Sequence, residues 1–395
     1  MTSVRRIAFL NTHPIQYFAP LYAYLNTAPD LSVTALYLSD YSIRGALDPR
    51  FGRTVKWDID LLAGYDARFV GGADKRDHCE GFLSMLAPAV WGEVARGRLD
   101  ALVVHGHTPA AVLLAVAAAK ASGVPVFTRG ETHLGLQRSP LKAVLRRPVM
   151  RAYYGQMAGA LAIGAANRAF YRAMGVPEAK IFSVPYTVDN ERFIQASSLT
   201  ADQRTAERKA LGVEDDLPII LYAAKFFGRK RPDDLIRAAA RLRDAGEAFH
   251  LVMIGAGERE ADLRVLVQTL ALNNVTFPGF VNQSVLPRAY AAGDIFVLPS
   301  DNEPWGLAVN EAMCAGLPIV LSEEIGCAVD LVRDGVNGKT FPAGDVQVLA
   351  NALQPLVRDP EVRRRMGAAS LKIISHWSYA ECLEGIRAAL ASVTL

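Results

Sequence analysis

Two successive stretches of the chain alternate short apolar runs with longer amphipathic segments, and this alternation limits the fold more than any other feature. In the first stretch the apolar runs predict strands, and the segments between them have the spacing of helices. The predicted strands are 6–10, 31–38, 101–104, 124–127, 161–163 and 181–184, and the predicted helices are 16–26, 109–121 and 165–174. Strands and helices that alternate at this pitch indicate βαβ units around a parallel sheet.

The alternation resumes after residues 190–214, whose polar composition predicts a linker and an entry helix. The later predicted strands are 218–222, 250–254, 275–277, 295–298 and 318–321, and the helices are 232–245, 258–272, 284–292 and 307–315. A last amphipathic helix, 378–393, is expected to fold back on the first unit. We therefore predict two doubly wound parallel-sheet α/β domains, 1–195 and 196–376, followed by a C-terminal helix at 377–395.

Composition excludes several classes of protein. Of the 395 residues, 51% are hydrophobic, which is ample for two cores and excludes a disordered chain. Neither a disulfide framework nor a zinc site is expected, and a reducing cytosol is, because the cysteines are few and far apart: Cys79, Cys314, Cys327 and Cys382. No apolar run is long enough to span a membrane, and His13 and Pro14 interrupt the N-terminus too early for a signal peptide.

Residues 301–311 follow a predicted strand and have the features of an anion site beside a sugar. Ligands bind open α/β sheets outside the carboxyl ends of the strands. Gly306 allows close backbone approach and precedes a predicted helix whose first N–H groups suit a phosphate. Glu303 precedes this helix and Glu311 lies in its first turns, where a carboxylate can accept two hydrogen bonds from a ribose diol. A capped helix with acidic residues complementing its dipole is the alternative.

Four cations occur in residues 225–231, directly after another predicted strand. Residues 196–395, where this cluster lies, carry 21 Lys and Arg against 25 Asp and Glu, whereas residues 1–195 carry 22 against 15. A basic cluster at a strand end suits a diphosphate, whose charge must be stabilised as a bond to it breaks. A solvated loop is the alternative. The split in charge indicates two bodies that face different partners.

Residues 254–260 open like a dinucleotide fingerprint but have Glu260 where the third glycine should fall. A nicotinamide site is therefore poorly supported, and a dehydrogenase ranks last among the functions considered. A tight turn after the strand, close to a nucleotide, remains compatible with Gly255.

In these segments the C-terminal half resembles the retaining GT-B glycosyltransferases of family 4. The donor signature of that family, two glutamates separated by seven residues, is present as Glu303 and Glu311 in EPWGLAVNEAMCAGLPIV. Further matches occur in the expected order: AAKFFGRKRPDDLI, GAGE, PGFV at 278–281 and EIGCAVDLVRDGVNGKTF at 324–341. GVPEAKIFSVPYTVDNERF resembles the segment that closes the family's N-terminal domain. The similarity is strong over about 160–345 and weak before it.

The resemblance implies a GT-B fold, in which two Rossmann-like domains face a central cleft and the C-terminal one binds a nucleotide-sugar. Glu311 would hold the ribose and Glu303 the sugar hydroxyls. The diphosphate and the rest of the donor would be held by Lys225, Lys230, Gly306, Leu307, Val309, Gly255 and Val281. The family needs no metal and no cofactor for catalysis. It transfers hexosyl or related groups with retention, by front-face attack in which the leaving phosphate takes the acceptor's proton, so we name no protein nucleophile.

The N-terminal domain would bind the acceptor. His105, His107, Arg129, Glu131 and His133 follow two predicted strands. A strand-end histidine is more often a structural hydrogen-bonding group than a catalytic one. Glu131 is the preferred catalytic candidate, since a carboxylate there can orient an acceptor hydroxyl, and His133 is the second.

This chain departs from the family pattern at several positions. Tyr186 and Thr187 stand where Asn-Gly is usual, Lys225 replaces an Arg, and Asp330 replaces a common Glu. The residues after strand one, Asn11 to Pro14, lack the glycine-rich loop of many relatives.

The basic segment 138–151 lies in a stretch, 132–177, that contains no Asp or Glu. Arg138, Lys142 and Arg146 are spaced by four residues, as on one face of a helix. Relatives use such stretches to contact anionic membranes or lipid-linked acceptors, and a solvated helix face is the alternative. Nucleic-acid binding is not expected, because no reading module is recognisable.

The leading hypothesis is a retaining, metal-independent transferase that moves a sugar from a nucleotide-sugar to a hydroxyl of a saccharide, a lipid-linked acceptor or a small molecule. It would be cytoplasmic or peripheral at the inner membrane face. One alternative is a sugar-nucleotide epimerase or hydrolase on the same scaffold, and another is a non-catalytic nucleotide-sugar-binding protein.

Overall fold

The chain divides into two compact units. A computed structural model describes residues 4–45, 47–48, 53–54, 56–76, 81–106, 109–136 and 140–393. Unit 1 comprises Met1–Ala46, Thr54–Tyr186 and Tyr379–Leu395, and unit 2 comprises Leu47–Arg53 and Thr187–Ser378. Each unit is built on its own parallel sheet, which confirms the prediction of two Rossmann-like α/β domains.

Unit 1 contains a seven-stranded parallel sheet in the order β5-β2-β1-β6-β7-β8-β9. Numbered along the chain, the first strands are β1 (Arg5–Asn11), β2 (Leu31–Tyr37), β3 (Leu47–Asp48), β4 (Arg53–Thr54), β5 (Asp66–Phe69), β6 (Ala101–His105), β7 (Val126–Arg129), β8 (Gly159–Ala162) and β9 (Ile181–Ser183). The strands β3 and β4 lie outside this sheet and pair with each other, and residues Leu47–Arg53 belong to unit 2. The first helices are α1 (Ala19–Asn26), α2 (Tyr41–Arg44), α3 (Val90–Arg96), α4 (Ala110–Ala121), α5 (Pro140–Tyr154) and α6 (Ala165–Ala173).

Unit 2 contains a six-stranded parallel sheet in the order β12-β11-β10-β13-β14-β15. Its strands are β10 (Ile219–Ala223), β11 (His250–Ile254), β12 (Val275–Gly279), β13 (Ile295–Leu298), β14 (Ile319–Ser322) and β15 (Gly338–Phe341). Its helices are α7 (Asn190–Ser197), α8 (Ala201–Ala210), α9 (Pro232–Asp244), α10 (Glu260–Thr269), α11 (Leu286–Ala292), α12 (Leu307–Cys314), α13 (Ala328–Leu331), α14 (Val346–Arg358) and α15 (Pro360–Ile374). None of the described helices is both long and apolar enough to cross a bilayer.

The last helix, α16 (Tyr379–Ala391), packs on the edge strand β9 of unit 1. Gly385 makes the close approach, because a Cβ atom there would lie 1.9 Å from the carbonyl oxygen of Ser183. Arg387 of the same helix forms an ion pair with Asp30, at 2.6 Å. A small residue and a charged anchor therefore fix the end of the chain on the first sheet.

The segment 190–214 differs from the prediction of a linker with one entry helix, because it forms the two helices α7 and α8. Asp189 caps α7 by accepting the N–H of Arg192. Thr200 and Gln203 form a capping box at the start of α8. Polar residues at caps resemble a linker when only composition is considered. The sequence patterns also missed β5 and α3 in unit 1 and β15, α14 and α15 in unit 2.

The order of the strands positions the ligand-binding edge of unit 2. β10 lies between β11 and β13, so the connections from β10 and from β13 leave the sheet in opposite directions. The carboxyl ends of these adjacent parallel strands form a topological switch point, which is where open α/β sheets bind ligands.

His250, the first residue of β11, is a buried imidazole in unit 2. Its Nδ1 atom lies 3.7 Å from Oδ2 of Asp215. Burial lowers the pKa of His250 below its usual 6.5; Arg208 acts in the same direction, and Asp215 opposes it.

We predict that this imidazole makes unit 2 less stable in acid. Because the unfolded chain binds the proton more readily, the free energy of unfolding should fall as the pH drops below 6.5, and the fall should end once the pH passes below the folded-state pKa. The slope is at most about 1.4 kcal/mol per pH unit. Urea unfolding at several pH values in this range gives the free energy of unfolding as a function of pH. The dependence on pH should be weaker in His250→Phe and unchanged in the exposed control His376→Asn. An unchanged slope in His250→Phe would contradict the assignment.

Candidate active site

The connections that follow β10 and β13 contact each other at the edge of the unit 2 sheet. The N–H of Asp301 donates to the carbonyl of Arg229 at 2.9 Å, and the guanidinium of Arg231 reaches the Asp301 carboxylate at 3.3 Å. Arg231 and Asn302 both have φ of 47°, which is uncommon for residues other than glycine. Such backbone conformations persist where the surroundings enforce them, and they concentrate at functional sites.

Lys230 and Glu303 form the central contact between these two connections. Lys230 Nζ lies 2.6 Å from Glu303 Oε2, and the side chains are only 13% and 10% exposed. The backbone of Glu303 is fixed as well, since its carbonyl accepts the N–H of Gly326 at 3.0 Å. The structure thus brings together a residue predicted to bind the diphosphate and a residue predicted to bind the sugar, which are 73 residues apart in the chain.

Gly306 makes the turn into α12. Its φ is 95°, and a Cβ atom there would lie 3.0 Å from Cγ2 of Ile325, so both conformation and space favour glycine. Gly306 is also the N-cap and supplies no side chain, so the helix start presents backbone N–H groups beginning at Leu307. The N–H of Val309 donates to the carbonyl of Gly306 at 2.8 Å.

Glu311 lies within α12 and is 2% exposed. Its Oε2 accepts a hydrogen bond from the hydroxyl of Tyr290 at 2.8 Å. Sequence reasoning missed Tyr290, because a tyrosine on the apolar face of a short helix looks like an ordinary core residue. Tyr290 fixes the rotamer of the glutamate from α11.

The glycine-rich turn after β11 serves packing between adjacent connections. A Cβ atom at Gly255 would lie 2.1 Å from the carbonyl oxygen of Ala224, which is in the connection after β10. The hydroxyl of Tyr222 donates to the carbonyl of Lys225 at 3.1 Å and so fixes the backbone of that half-buried lysine. Val281, also half-buried, follows β12 at the same edge.

In unit 1, the adjacent strands β1 and β6 end in a hydrogen-bonded group. The Tyr22 hydroxyl donates to Oδ1 of Asn11 at 3.0 Å and lies 3.1 Å from Nε2 of His105. Since the hydroxyl proton is used on Asn11, we assign the Nε2–H tautomer to His105. Burial, followed by the charge of Arg129, lowers the pKa of His105 to about 3, which keeps the imidazole neutral. His105 is therefore a hydrogen-bonding group and does not act as a general acid or base near neutral pH.

The two acceptor-side candidates follow β7. Glu131 is exposed, and its Oε1 accepts a 2.6 Å hydrogen bond from the hydroxyl of Tyr186. His133 is buried, and its Nδ1 accepts the N–H of Gly135 at 3.2 Å. Glu131 is thus an exposed residue whose carboxylate is held by Tyr186, whereas His133 supports the local turn. Two further sequence candidates and one cysteine lie outside the described residues: His107, Arg138 and Cys79.

Within the described part of the chain, no group of three His, Cys, Asp or Glu side chains is arranged to hold a metal ion. The three described cysteines, Cys314, Cys327 and Cys382, are buried free thiols. Burial is the main reason that the pKa values of Cys314 and Cys327 are raised, which keeps these thiols protonated.

We predict that removing the cation of the central pair destabilises unit 2. Lys230→Met should lower the free energy of unfolding by about 3 kcal/mol, because it leaves a buried carboxylate without its cation. Lys339 provides a matched control, since its pair with Asp334 has the same 2.6 Å length but the lysine side chain is 51% exposed. Lys339→Met should cost less than about 1 kcal/mol.

Denaturant unfolding of both variants measures the difference. Adding Glu303→Leu to Lys230→Met should recover most of the loss, because no buried charge then remains at this position. Equal losses in Lys230→Met and Lys339→Met would contradict the importance of burial for this pair.

Two family descriptions match this chain. "Glycosyl transferases group 1" matches residues 203–372, which contain the whole unit 2 site. "Glycosyl transferase 4-like domain" matches residues 32–187, which contain the two acceptor-side candidates.

Curated relatives match mainly over part of their length. The alpha-D-kanosaminyltransferase of Streptomyces kanamyceticus is 30% identical over 196 residues, 49% of this chain and 50% of that protein. The D-inositol 3-phosphate glycosyltransferase of Nocardia farcinica is 32% identical over 191 residues, 46% of this chain and 42% of that protein. The chain therefore spans about half the length of the curated relatives that it matches.

Solved structures match over nearly the whole chain. Anabaena HepE in complex with UDP and glucose has a TM-score of 0.73 at 20% identity, covering 98% of this chain and all of that one. The sucrose-phosphate synthase of Thermosynechococcus elongatus has a TM-score of 0.69 at 20% identity, covering 97% of each chain. These likenesses establish the fold. One family match covers most of the unit 1 sheet, and the other covers the unit 2 sheet. The two family matches, over residues 32–187 and 203–372, therefore identify both stretches as glycosyltransferase domains, and the fold is GT-B.

Proposed function

We propose that the protein is a retaining glycosyltransferase that moves a sugar from a nucleotide-sugar donor to a hydroxyl acceptor. The observation that carries this proposal is the buried contact of Lys230 with Glu303 next to the glycine-started helix α12. Three groups meet at one switch point. The cation suits the negative charge of a sugar diphosphate, the carboxylate suits the sugar hydroxyls, and the helix N-terminus suits the phosphate oxygens.

Donor binding would exchange the partners of this ion pair. The diphosphate brings two or more negative charges, which compete with Glu303 for the ammonium of Lys230. The released carboxylate of Glu303 is then available to accept hydrogen bonds from sugar hydroxyls. Lys225 and the N–H groups at the start of α12 would complete the diphosphate site, and Glu311 would bind the ribose.

In the proposed transfer, the bond from the anomeric carbon to the diphosphate oxygen breaks. The acceptor oxygen bonds to the same face of that carbon, and the acceptor's hydroxyl proton passes to the leaving diphosphate. Lys230, Lys225 and α12 would stabilise the charge that develops on the leaving group without a metal. Glu131 of unit 1 would orient the acceptor hydroxyl.

The base and sugar of the donor are proposed from the solved neighbours. HepE has been crystallised with UDP, with UDP and glucose, and with UDP-glucose. UDP-glucose is therefore the first donor to test, and glucose and D-inositol 3-phosphate, named for HepE and for the Nocardia relative, are the first acceptors.

We predict that UDP binds unit 2 through the residues named above. Glu311→Ala and Lys230→Ala should each weaken UDP binding by about ten- to a hundredfold, because each loses a hydrogen bond to a charged or strongly polar group. Titration calorimetry with UDP measures the affinity. Glu361→Ala, which removes an exposed carboxylate from α15, is the control and should bind like the wild type.

Release of UDP from UDP-glucose, with and without the two acceptors, separates the alternatives. Acceptor-dependent release supports a transferase. Rapid release without acceptor favours a hydrolase, and loss of donor with no release of UDP favours an epimerase. If calorimetry detects no UDP binding and Glu311→Ala behaves like the wild type, the proposal is wrong.

We propose in addition that the basic segment 138–151 contacts anionic membranes. In the described part of α5, the side chains of Arg146, Arg147 and Arg151 are exposed, and so is Val149 at 68%. Clustered cations with an interspersed apolar side chain suit an interfacial helix. Arg138 lies outside the described residues, as does the side chain of Lys142.

The test is co-sedimentation with vesicles of phosphatidylserine and phosphatidylcholine. We expect binding that requires the anionic lipid, falls at high salt and weakens in Arg146→Gln/Arg147→Gln. Replacement of two exposed arginines elsewhere in unit 1, Arg68→Gln/Arg172→Gln, should leave binding unchanged. Equal binding to neutral vesicles would contradict the proposal.

A further inference from the structure

Arg129, the last residue of β7, is a buried cation with few polar partners. It is 2% exposed, and its Nη2 donates to the carbonyl of Pro185 at 3.1 Å. Among the residues that the structure describes, no partner accepts from its Nε or Nη1 atoms. A buried charge that lacks a carboxylate partner is costly and calls for an explanation.

The guanidinium packs instead on aromatic rings. Its central carbon lies 5.4 Å from the ring centroids of both Phe18 and Tyr186. These two rings stack on each other with centroids 5.8 Å apart. Attraction between a cation and the ring faces offsets part of the desolvation cost and fixes the orientation of both rings.

Tyr186 connects this buried cation to the exposed carboxylate of Glu131. The tyrosine is 5% exposed, and its hydroxyl donates to Oε1 of Glu131 at 2.6 Å. Two hydrogen bonds hold the backbone here. The N–H of Tyr186 donates to the carbonyl of Ile163 at 3.1 Å, and Arg129 donates to the carbonyl of the preceding residue, Pro185. The Tyr186 hydroxyl, which donates this short hydrogen bond, is therefore held in a fixed position.

We propose that Arg129 and Tyr186 are positioning residues, which hold the Glu131 carboxylate in the orientation that receives the acceptor hydroxyl. The inference rests on the proposed transferase function and on the role given there to Glu131. A nearby positive charge makes the phenol a stronger hydrogen-bond donor to the carboxylate. Tyr186 stands where the family pattern has Asn, so this arrangement also explains a departure that the donor site leaves unexplained.

The same cation keeps a second titratable group out of the reaction. The pKa of His105, about 3, is lowered first by burial and then by Arg129. A neutral His105 does not exchange protons with an acceptor near neutral pH. Glu131 is then the group at this edge of the sheet that Tyr186 orients by its hydrogen bond.

The test compares Tyr186→Phe, which removes only the hydroxyl, with Tyr37→Phe. Tyr37 is a matched control, because it is a buried tyrosine of unit 1 whose hydroxyl bonds to Tyr65. In the assay of UDP release from UDP-glucose with glucose and D-inositol 3-phosphate, Tyr186→Phe should lower kcat by about ten- to a hundredfold. The KM for UDP-glucose should not change. Tyr37→Phe should behave like the wild type.

A double-variant comparison separates positioning from a general structural role. In a Glu131→Gln background, adding Tyr186→Phe should cause little further loss, since the hydroxyl acts through the carboxylate. In the single variant the acid limb of the pH profile should move to higher pH, and ¹³C NMR of the glutamate carboxyl groups should show Glu131 protonating at higher pH than in the wild type. Arg129→Met should move both readouts in the same direction.

Full kcat in Tyr186→Phe, or losses that add to those of Glu131→Gln, would overturn the proposal. The NMR titration needs no substrate, so an unchanged Glu131 signal in Tyr186→Phe would overturn it independently of turnover. Absence of UDP binding and transfer in the wild type would instead count against the proposed function.

Discussion

The ion pair between Lys230 and Glu303 is the contact on which the unit 2 site depends. It joins the connections that follow two adjacent strands, and it lies largely out of solvent. Removing two charges from water is costly, and a well-packed apolar pair would often be at least as stable. A buried pair at a switch point makes physical sense when each member has another partner to take, which is what a sugar diphosphate provides. The glycine turn into α12 and the strained conformations of Arg231 and Asn302 belong to the same junction.

The two units use charge in different ways at the carboxyl ends of their sheets. In unit 2 the cation and the carboxylate face each other directly, so a ligand has to separate them. In unit 1 the buried cation Arg129 contacts the ring of Tyr186, and the hydroxyl of Tyr186 donates to the carboxylate of Glu131. The first arrangement suits a partner that brings its own negative charge. The second suits a neutral hydroxyl, which needs an oriented hydrogen-bond acceptor while its proton passes to the leaving diphosphate.

The sequence predicted the architecture well where periodicity was clean. Both parallel sheets follow from the periodicity of the chain, and the contact between Lys230 and Glu303 follows from their positions after adjacent strands, because those signals are local. The roles of these two residues in binding a donor stay predictions. It failed where polar residues cap helices, as at Asp189 and Thr200, and where contacts form between distant segments. The hydrogen bond of Tyr290 to Glu311 and that of Tyr186 to Glu131 join residues 21 and 55 positions apart, and no local pattern indicates either bond.

The most direct measurement is a crystal structure of the protein with UDP bound. We expect the diphosphate to lie at the start of α12 and Lys230 Nζ to move from Glu303, now 2.6 Å away, to a phosphate oxygen. Glu311 should then contact the ribose hydroxyls. A structure in which UDP binds elsewhere, or in which the diphosphate occupies this edge while the Lys230–Glu303 pair stays closed, would contradict the central claim that donor binding exchanges the partners of this pair.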